Sequence, residues 1–257
     1  MSGAASPDGR RKVLLVTGGS RGIGAAVCRK AAGGGYAIAV NYARDVAAAT
    51  ALVAELHAAG ASAEAFQADM ARADQVDGLF QAVDRRFGRV THLVNNAGVT
   101  GRSGRLDASA PEAIAAVIDL NVTGAILAAR AAVLRMSTRH GGQGGVIVNL
   151  SSAAATLGGP GEFVWYAASK GAIDSFTIGL SREVGAEGIR VNAVSPGLID
   201  TEIHAAAGEP GRVARMAPMI PMARAGSADE VADSILFLLS DAAAYVSGAI
   251  LRVAGGR

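Results

Sequence analysis

Short runs of aliphatic and β-branched residues recur along the chain. Each is followed by a longer Ala-rich stretch whose apolar positions fall three and four apart. The short runs predict seven strands, over residues 13–17, 36–41, 62–68, 92–95, 146–150, 190–194 and 249–253. The longer stretches predict six helices, over 22–33, 45–59, 72–87, 111–139, 163–186 and 228–240. Near-continuous apolar strands alternating with helices imply a doubly wound parallel sheet, flanked by helices on both faces. Gly60, Gly88 and Gly188 follow the second, third and fifth helices, where a left-handed cap suits glycine. The stretch of about 197–226 resists this alternation, with Pro210, Pro218, Pro221 and several glycines. Its length marks it as a lid or substrate loop.

Composition narrows the picture. Of 257 residues, 51% are hydrophobic but only 4% aromatic, so the core must be built from Ala, Val, Leu and Ile. The 24 basic and 22 acidic residues are interspersed, with no basic run beyond Arg10-Arg11-Lys12, which argues against nucleic acid or an anionic membrane as partner. The single Cys28 excludes an internal disulfide and suits a reducing, cytoplasmic setting. His57, His92, His140 and His204 lie far apart without ligand spacing, so no metal site is expected. Residues 1–12 read as a disordered lead-in, and the apolar stretch after them is too short for a signal peptide. No uninterrupted apolar run reaches the length of a membrane helix. One domain over residues 13–257 is the expectation.

The first strand leads into "TGGSRGIGAAV", with glycines at 18, 22 and 24. At a strand-to-helix junction this spacing lets the backbone approach a pyrophosphate, whose charge the helix N-terminus attracts. A tight turn without a ligand is the competing reading in a chain with 34 glycines. The second strand ends "AVNYARD", and the place where an acid would select NAD by binding the adenosine ribose falls at Tyr42. Arg21 and Arg44 favour a 2′-phosphate there, hence NADP(H), while the nearby Asp45 keeps NAD(H) possible. Further on, "WYAASKGA" places Lys170, one of three lysines, four residues after Tyr166. Such a pair shares one face of a helix, either as an ordinary surface arrangement or as reacting groups.

Together these segments resemble the short-chain dehydrogenase/reductase family in its compact, single-domain form. "TGGSRGIG" is similar to its cofactor turn, "NNAG" (95–98) to the motif that steadies its central sheet, "NLSS" (149–152) to its serine-bearing strand, and "SPG" (195–197) to its nicotinamide loop. With Tyr166 and Lys170 they stand in the family's order, and the resemblance extends from Val13 to Gly256. Closer still are bacterial members known mainly as uncharacterised oxidoreductases, which name no substrate.

The resemblance implies a Rossmann-type sheet of seven strands and a catalytic group of Asn121, Ser152, Tyr166 and Lys170. It places the cofactor against Gly18, Ser20, Arg21, Gly22, Ile23 and Gly24, against Asn41, Tyr42 and Arg44, and against Asp69 and Met70 at the adenine. Asn96, Ala97 and Gly98 are implied near the ribose, and Pro196, Gly197, Ile199 and Thr201 around the nicotinamide, with Tyr166 and Lys170 completing the contacts. Tyr166 is implied as the acid and base, with its pKa lowered by Lys170, which also binds the ribose. Ser152 is implied to hold a substrate carbonyl, and Asn121 a water through which Lys170 exchanges protons. On its residues alone, Asn121 reads rather as a polar residue inside a helix, bonding nearby backbone. The interval from Ser152 to Tyr166 is about one residue longer than usual for the family, so Ser151 competes with Ser152. Hydride exchange with a small carbonyl or alcohol substrate and a homotetrameric assembly are the implied function and state. The alternative is a sensor or scaffold that binds NADP(H) without catalysis. Met216, Met219 and Met222, spaced by three, either seat a short helix or line an apolar substrate pocket.

Overall fold

Side-chain alternation along each strand divides the core into two layers. In the first strand, Leu14 and Val16 join one apolar cluster, while Val13 and Leu15 join the other. The computed structural model describes residues 12–257. Within them lie seven strands: β1 (Lys12–Val16), β2 (Tyr36–Tyr42), β3 (Ser62–Gln67), β4 (His92–Asn95), β5 (Gly145–Leu150), β6 (Ile189–Pro196) and β7 (Ile250–Val253). They form one all-parallel sheet in the order β3-β2-β1-β4-β5-β6-β7. The order reverses between β1 and β4, and the carboxyl ends of these two strands open the crevice that such sheets use for ligands.

One face is covered by α1 (Gly22–Ala31), α2 (Val46–Ala58) and α10 (Ala228–Leu239), through residues such as Val27, Leu52 and Ile235. The other face carries α3 (Ala73–Phe87), α5 (Ala125–Met136) and the end of α7 (Val164–Val184). On α5 the buried stripe is Ala128, Ala129, Ala131 and Ala132, whose small side chains bring the helix close to the sheet. Helix boundaries follow local chemistry. Ser227 and Glu230 form a reciprocal capping box at the start of α10. Gly60, Gly88 and Gly188 take positive φ where the sequence places caps. Across the sheet, Asn95 Nδ2 donates to Asn149 Oδ1 (3.0 Å), and Asn149 Nδ2 donates to Thr177 Oγ1 on α7 (2.9 Å). This buried polar relay ties β4, β5 and α7 together.

The structure corrects four expectations. β1 begins at Lys12, which pairs in register with Tyr36, its Nζ 5.8 Å from that ring's centroid; the rest of the expected lead-in lies outside the described residues. The helix predicted over 111–139 is instead α4 (Pro111–Ile118), a π turn (Asp119–Gly124) and α5. The helix passes so close to the loop after β3 that a Cβ on Gly124 would stand 2.3 Å from the Met70 carbonyl oxygen. By length and mean hydropathy (1.6) the run Pro111–Met136 would also serve to cross a membrane, which the sequence reading did not anticipate. Here α5 lies in the core against α3 and β4. Finally, the 197–226 segment contains two short helices, α8 (Ile203–Ala206) and α9 (Arg212–Met216), and its methionines do not act as a set. Pro218 and Pro221 break their spacing, leaving Met219 and Met222 exposed and only Met216 against the main cleft. The remaining helix, α6 (Ala154–Leu157), directly follows the serine pair.

Candidate active site

The turn after β1 is shaped by its glycines. Gly18 and Gly22 adopt φ of +58° and +52°, and a Cβ on Gly24 would lie 2.5 Å from the Gly18 carbonyl oxygen. Such close approach of backbone requires glycine. Helix α1 starts without a side-chain cap and without an acid in its first turn, so its amides and positive end remain available to an anion. This cradle fits a dinucleotide diphosphate. Asn41 braces the turn from beneath: its Oδ1 accepts from Gly18 N–H (3.0 Å), and its Nδ2 donates to the Ala68 carbonyl (3.0 Å). It is buried with its amide engaged, so it shapes the turn and does not face a ligand as expected. Asn96 Nδ2 donates to the Thr17 and Gly18 carbonyls (2.9 Å each), and Thr17 Oγ1 accepts from the amides of Asn96 and Ala97 (3.0 Å each). Thr17 is a positioning residue absent from the sequence reading, although it opens the glycine motif.

At the outer edge, Tyr42 and Ser20 are half-buried, while Arg21 and Arg44 are exposed. Asp45 caps α2 by accepting from Ala48 N–H (3.0 Å) and lies 3.8 Å from the Arg21 guanidinium. Asp69 sits at the end of β3, its Oδ1 accepting from Ala71 N–H (3.0 Å). The Met70 side chain, expected against the adenine, is buried in the core below this edge.

A cleft of about 380 Å³ runs from the glycine turn across the ends of β5 and β6, with Ile23, Asn96, Ser152, Tyr166, Lys170 and Thr201 on its walls. Pro196, Gly197 and Ile199 form its floor on the β6 side. A Cβ on Gly197 would stand 2.8 Å from Ala254 Cα, so this loop presses against the chain after β7. Ser151 and Ser152 both follow the end of β5 and both line the cleft. Ser151 is buried, its hydroxyl donating to the Lys170 carbonyl (3.3 Å), whereas Ser152 is half-buried, its Oγ accepting from Ala154 N–H (3.1 Å), and it acts to lower the pKa of the Tyr166 phenol. Beyond α6, in the interval that leads to Tyr166, Gly158, Gly159 and Gly161 all take positive φ.

Lys170 is buried, its Nζ donating to the Leu150 carbonyl (2.6 Å) and standing 5.7 Å from the Tyr166 ring centroid. Burial draws its pKa from 10.5 down to about 8, with Asp174, one turn further along α7, acting in the opposite direction. Burial also pushes the Tyr166 phenol up, and the Ser152 hydrogen bond works against that rise. The expected lowering of the phenol by Lys170 is not what this arrangement produces, because the cation is directed at the Leu150 carbonyl. Asn121, in the π turn, holds the loop after β4: Oδ1 accepts from Val99 N–H (2.9 Å), and Nδ2 donates to the Val99 carbonyl (2.8 Å) and Ser169 Oγ (3.1 Å). Gly98 fits between Asn121 and Lys170, where a Cβ would lie 3.1 Å from Asn121 Oδ1 and 3.5 Å from Lys170 Nζ. Leu150, Trp165, Glu162 and Arg212 also shape the site without having been anticipated. Trp165 donates from Nε1 to the Thr100 carbonyl (3.0 Å), fixing the loop after β4 to α7.

A parallel sheet with its cleft at the switch point, walled by a glycine cradle and a Ser-Tyr-Lys group, defines a Rossmann-type oxidoreductase. Comparison with known proteins places it further. The sequence profile described as enoyl-(acyl carrier protein) reductase matches residues 18–257. The uncharacterised oxidoreductase YgfF of Escherichia coli (strain K12) is 50% identical over 245 residues, covering 95% of this chain and 99% of its own. Among solved structures, a blue fluorescent protein from a metagenomic library in complex with NADPH superposes with a TM-score of 0.87 at 38% identity, covering 95% of this chain and 97% of that one. A short-chain dehydrogenase from Burkholderia cenocepacia J2315 in complex with NADP gives 0.86 at 36% identity, with 96% and 97% covered. The chain belongs to the short-chain dehydrogenase/reductase family.

Proposed function

We propose that residues 13–257 form one catalytic domain that reduces a small carbonyl compound, or oxidises the corresponding secondary alcohol, with NADP(H) preferred over NAD(H). The observation that carries this reading is that Ser152, Tyr166 and Lys170 line one cleft, with the Lys170 ammonium buried one turn behind the phenol. Gly18, Ser20, Gly22, Ile23 and Gly24 hold the diphosphate side of the dinucleotide, with Asn96, Ala97 and Gly98 along one wall and Pro196, Gly197, Ile199 and Thr201 along the other. When bound, the nicotinamide supplies or accepts the hydride. Ser152 holds the carbonyl oxygen, and Tyr166 gives that oxygen a proton in reduction and removes it in oxidation. Lys170 binds the cofactor ribose, while Asn121 and Asn41 act through the loops they brace. NADP(H) preference rests on Arg21 and Arg44, and on Asp45 being occupied as a helix cap beside Arg21. NADP- and NADPH-bound structural neighbours agree with it. The segment 197–226 acts as the substrate loop. A homotetramer in the cytoplasm is the proposed working form, with exposed Ile126 and Leu134 on α5 and Ile178 on α7 supplying apolar contact.

Tyr166→Phe removes only the phenolic oxygen. It is expected to lower turnover by about a hundredfold or more, measured by NADPH oxidation with a panel of ketones and β-keto esters. NADPH affinity, read by fluorescence titration, should stay near wild type. A Phe variant as active as the parent refutes the assignment.

A further inference from the structure

The cleft carries a second ionic feature, remote from Lys170, that the proposed chemistry does not use. Arg212 opens α9 in the substrate loop and is only 8% exposed. Its Nη1 lies 2.6 Å from Glu162 Oε1, and its guanidinium carbon stands 4.9 Å from the Phe163 ring centroid. The arginine holds the Glu162 carboxyl below the usual carboxylate range. Phe163 immediately precedes α7 and meets the Tyr166 ring edge to face, with centroids 5.6 Å apart and planes at 88°. Glu162, Phe163, Tyr166 and Arg212 all line the same cleft. Two backbone hydrogen bonds reinforce the junction: Gly104 N–H donates to the Glu162 carbonyl (2.7 Å), and Ser103 N–H donates to the Ala207 carbonyl (3.1 Å).

A buried arginine is costly unless paired, so α9 reaches this seat only with its cation against Glu162. The seat also places the guanidinium on a ring in contact with the candidate acid and base. We propose that Arg212 is a positioning residue that couples the seating of the substrate loop to the orientation of Tyr166, through its ion pair with Glu162 and its stack on Phe163. This rests on the reading of Tyr166 as the proton donor. The consequence is that substrate affinity and turnover respond to a residue that need not touch the reacting carbonyl.

The test compares Arg212→Met, Glu162→Gln, Phe163→Leu and the reversed pair Arg212→Glu with Glu162→Arg. Amide hydrogen exchange over residues 203–216 reports seating without any substrate, and steady-state reduction of whichever panel ketone the parent accepts reports coupling. Either single ionic variant is expected to speed exchange in this segment and raise KM, each on the order of tenfold, with NADPH affinity unchanged. The reversed pair should recover most of both effects, which a generally loosened fold would not do. Phe163→Leu should lower kcat while leaving exchange in α9 near the parental rate. Unchanged exchange in Arg212→Met, a reversed pair no better than the single variants, or parental kcat in Phe163→Leu overturns the proposal. If Tyr166→Phe stays active or the parent reduces no panel compound, the acid-base reading fails separately. The exchange comparison then still decides whether Arg212 seats the loop.

Discussion

Lys170 carries a cation in a place that penalises it, and the penalty is measurable as a pH dependence of stability. Burial draws its pKa from 10.5 to about 8, so between these values the unfolded chain holds a proton that the native chain has released. Stability therefore rises with pH across that window, and the cost of the buried charge is fully present below about pH 8. The drop corresponds to roughly 3 kcal/mol, of which about 2 kcal/mol should be recovered between about pH 7 and pH 9.5. Lys170→Met keeps the aliphatic stem and removes the charge, so it lacks this dependence while losing the hydrogen bond to the Leu150 carbonyl. Urea unfolding of both proteins across this range isolates the effect, because titrations common to the two cancel in the difference. The parent should gain on the variant by about 2 kcal/mol as pH rises. A constant difference would show that Lys170 titrates alike in the folded and unfolded chains, and would refute the reasoning.

Further outcomes follow from other parts of the site. Because burial raises the Tyr166 phenol, it remains protonated through neutral pH; reduction rates should stay flat there, while alcohol oxidation climbs with pH in steady-state assays. Gly24→Ala places a methyl 2.5 Å from the Gly18 carbonyl oxygen and should both weaken NADPH binding and destabilise the fold by about 1–3 kcal/mol, read by titration and urea unfolding. Arg44→Ala or Arg21→Ala should weaken NADPH binding about tenfold or more while sparing NADH; equal losses for both cofactors would remove the argument for a 2′-phosphate site. Light scattering should give four times the chain mass, and charged substitution at Ile126 or Leu134 should lower it.

Much of the architecture was legible because strand and helix periods write themselves directly into the order of side chains. All seven predicted strands form, and the glycine cradle lies where its spacing placed it. The π turn was hidden because "DLNVTG" is as compatible with a regular helix as with a widened one; the contact with Met70 that Gly124 permits is made across the chain. Likewise, Ser151 and Ser152 are alike in sequence terms, and their different hydrogen-bond partners emerge only in the fold. Asn41 was implied as a ligand contact by the family resemblance, yet its side chain is buried beneath the turn. Arg212 carried no signal, since its partners Glu162 and Phe163 lie about fifty positions away and meet it only after α7 and β6 are packed. The depressed pKa of Lys170 was similarly out of reach, because burial belongs to the assembled fold.

The π turn also constrains how this protein can change. A π turn holds one residue more than an α turn, so the six residues Asp119–Gly124 let α5 keep its alanine stripe on the sheet while Asn121 is carried to the Val99 loop. Tightening the turn to a regular helix would leave the packing of α5 standing and cost the loop beside the catalytic cleft its brace. The widened turn thus serves the cleft more than the core.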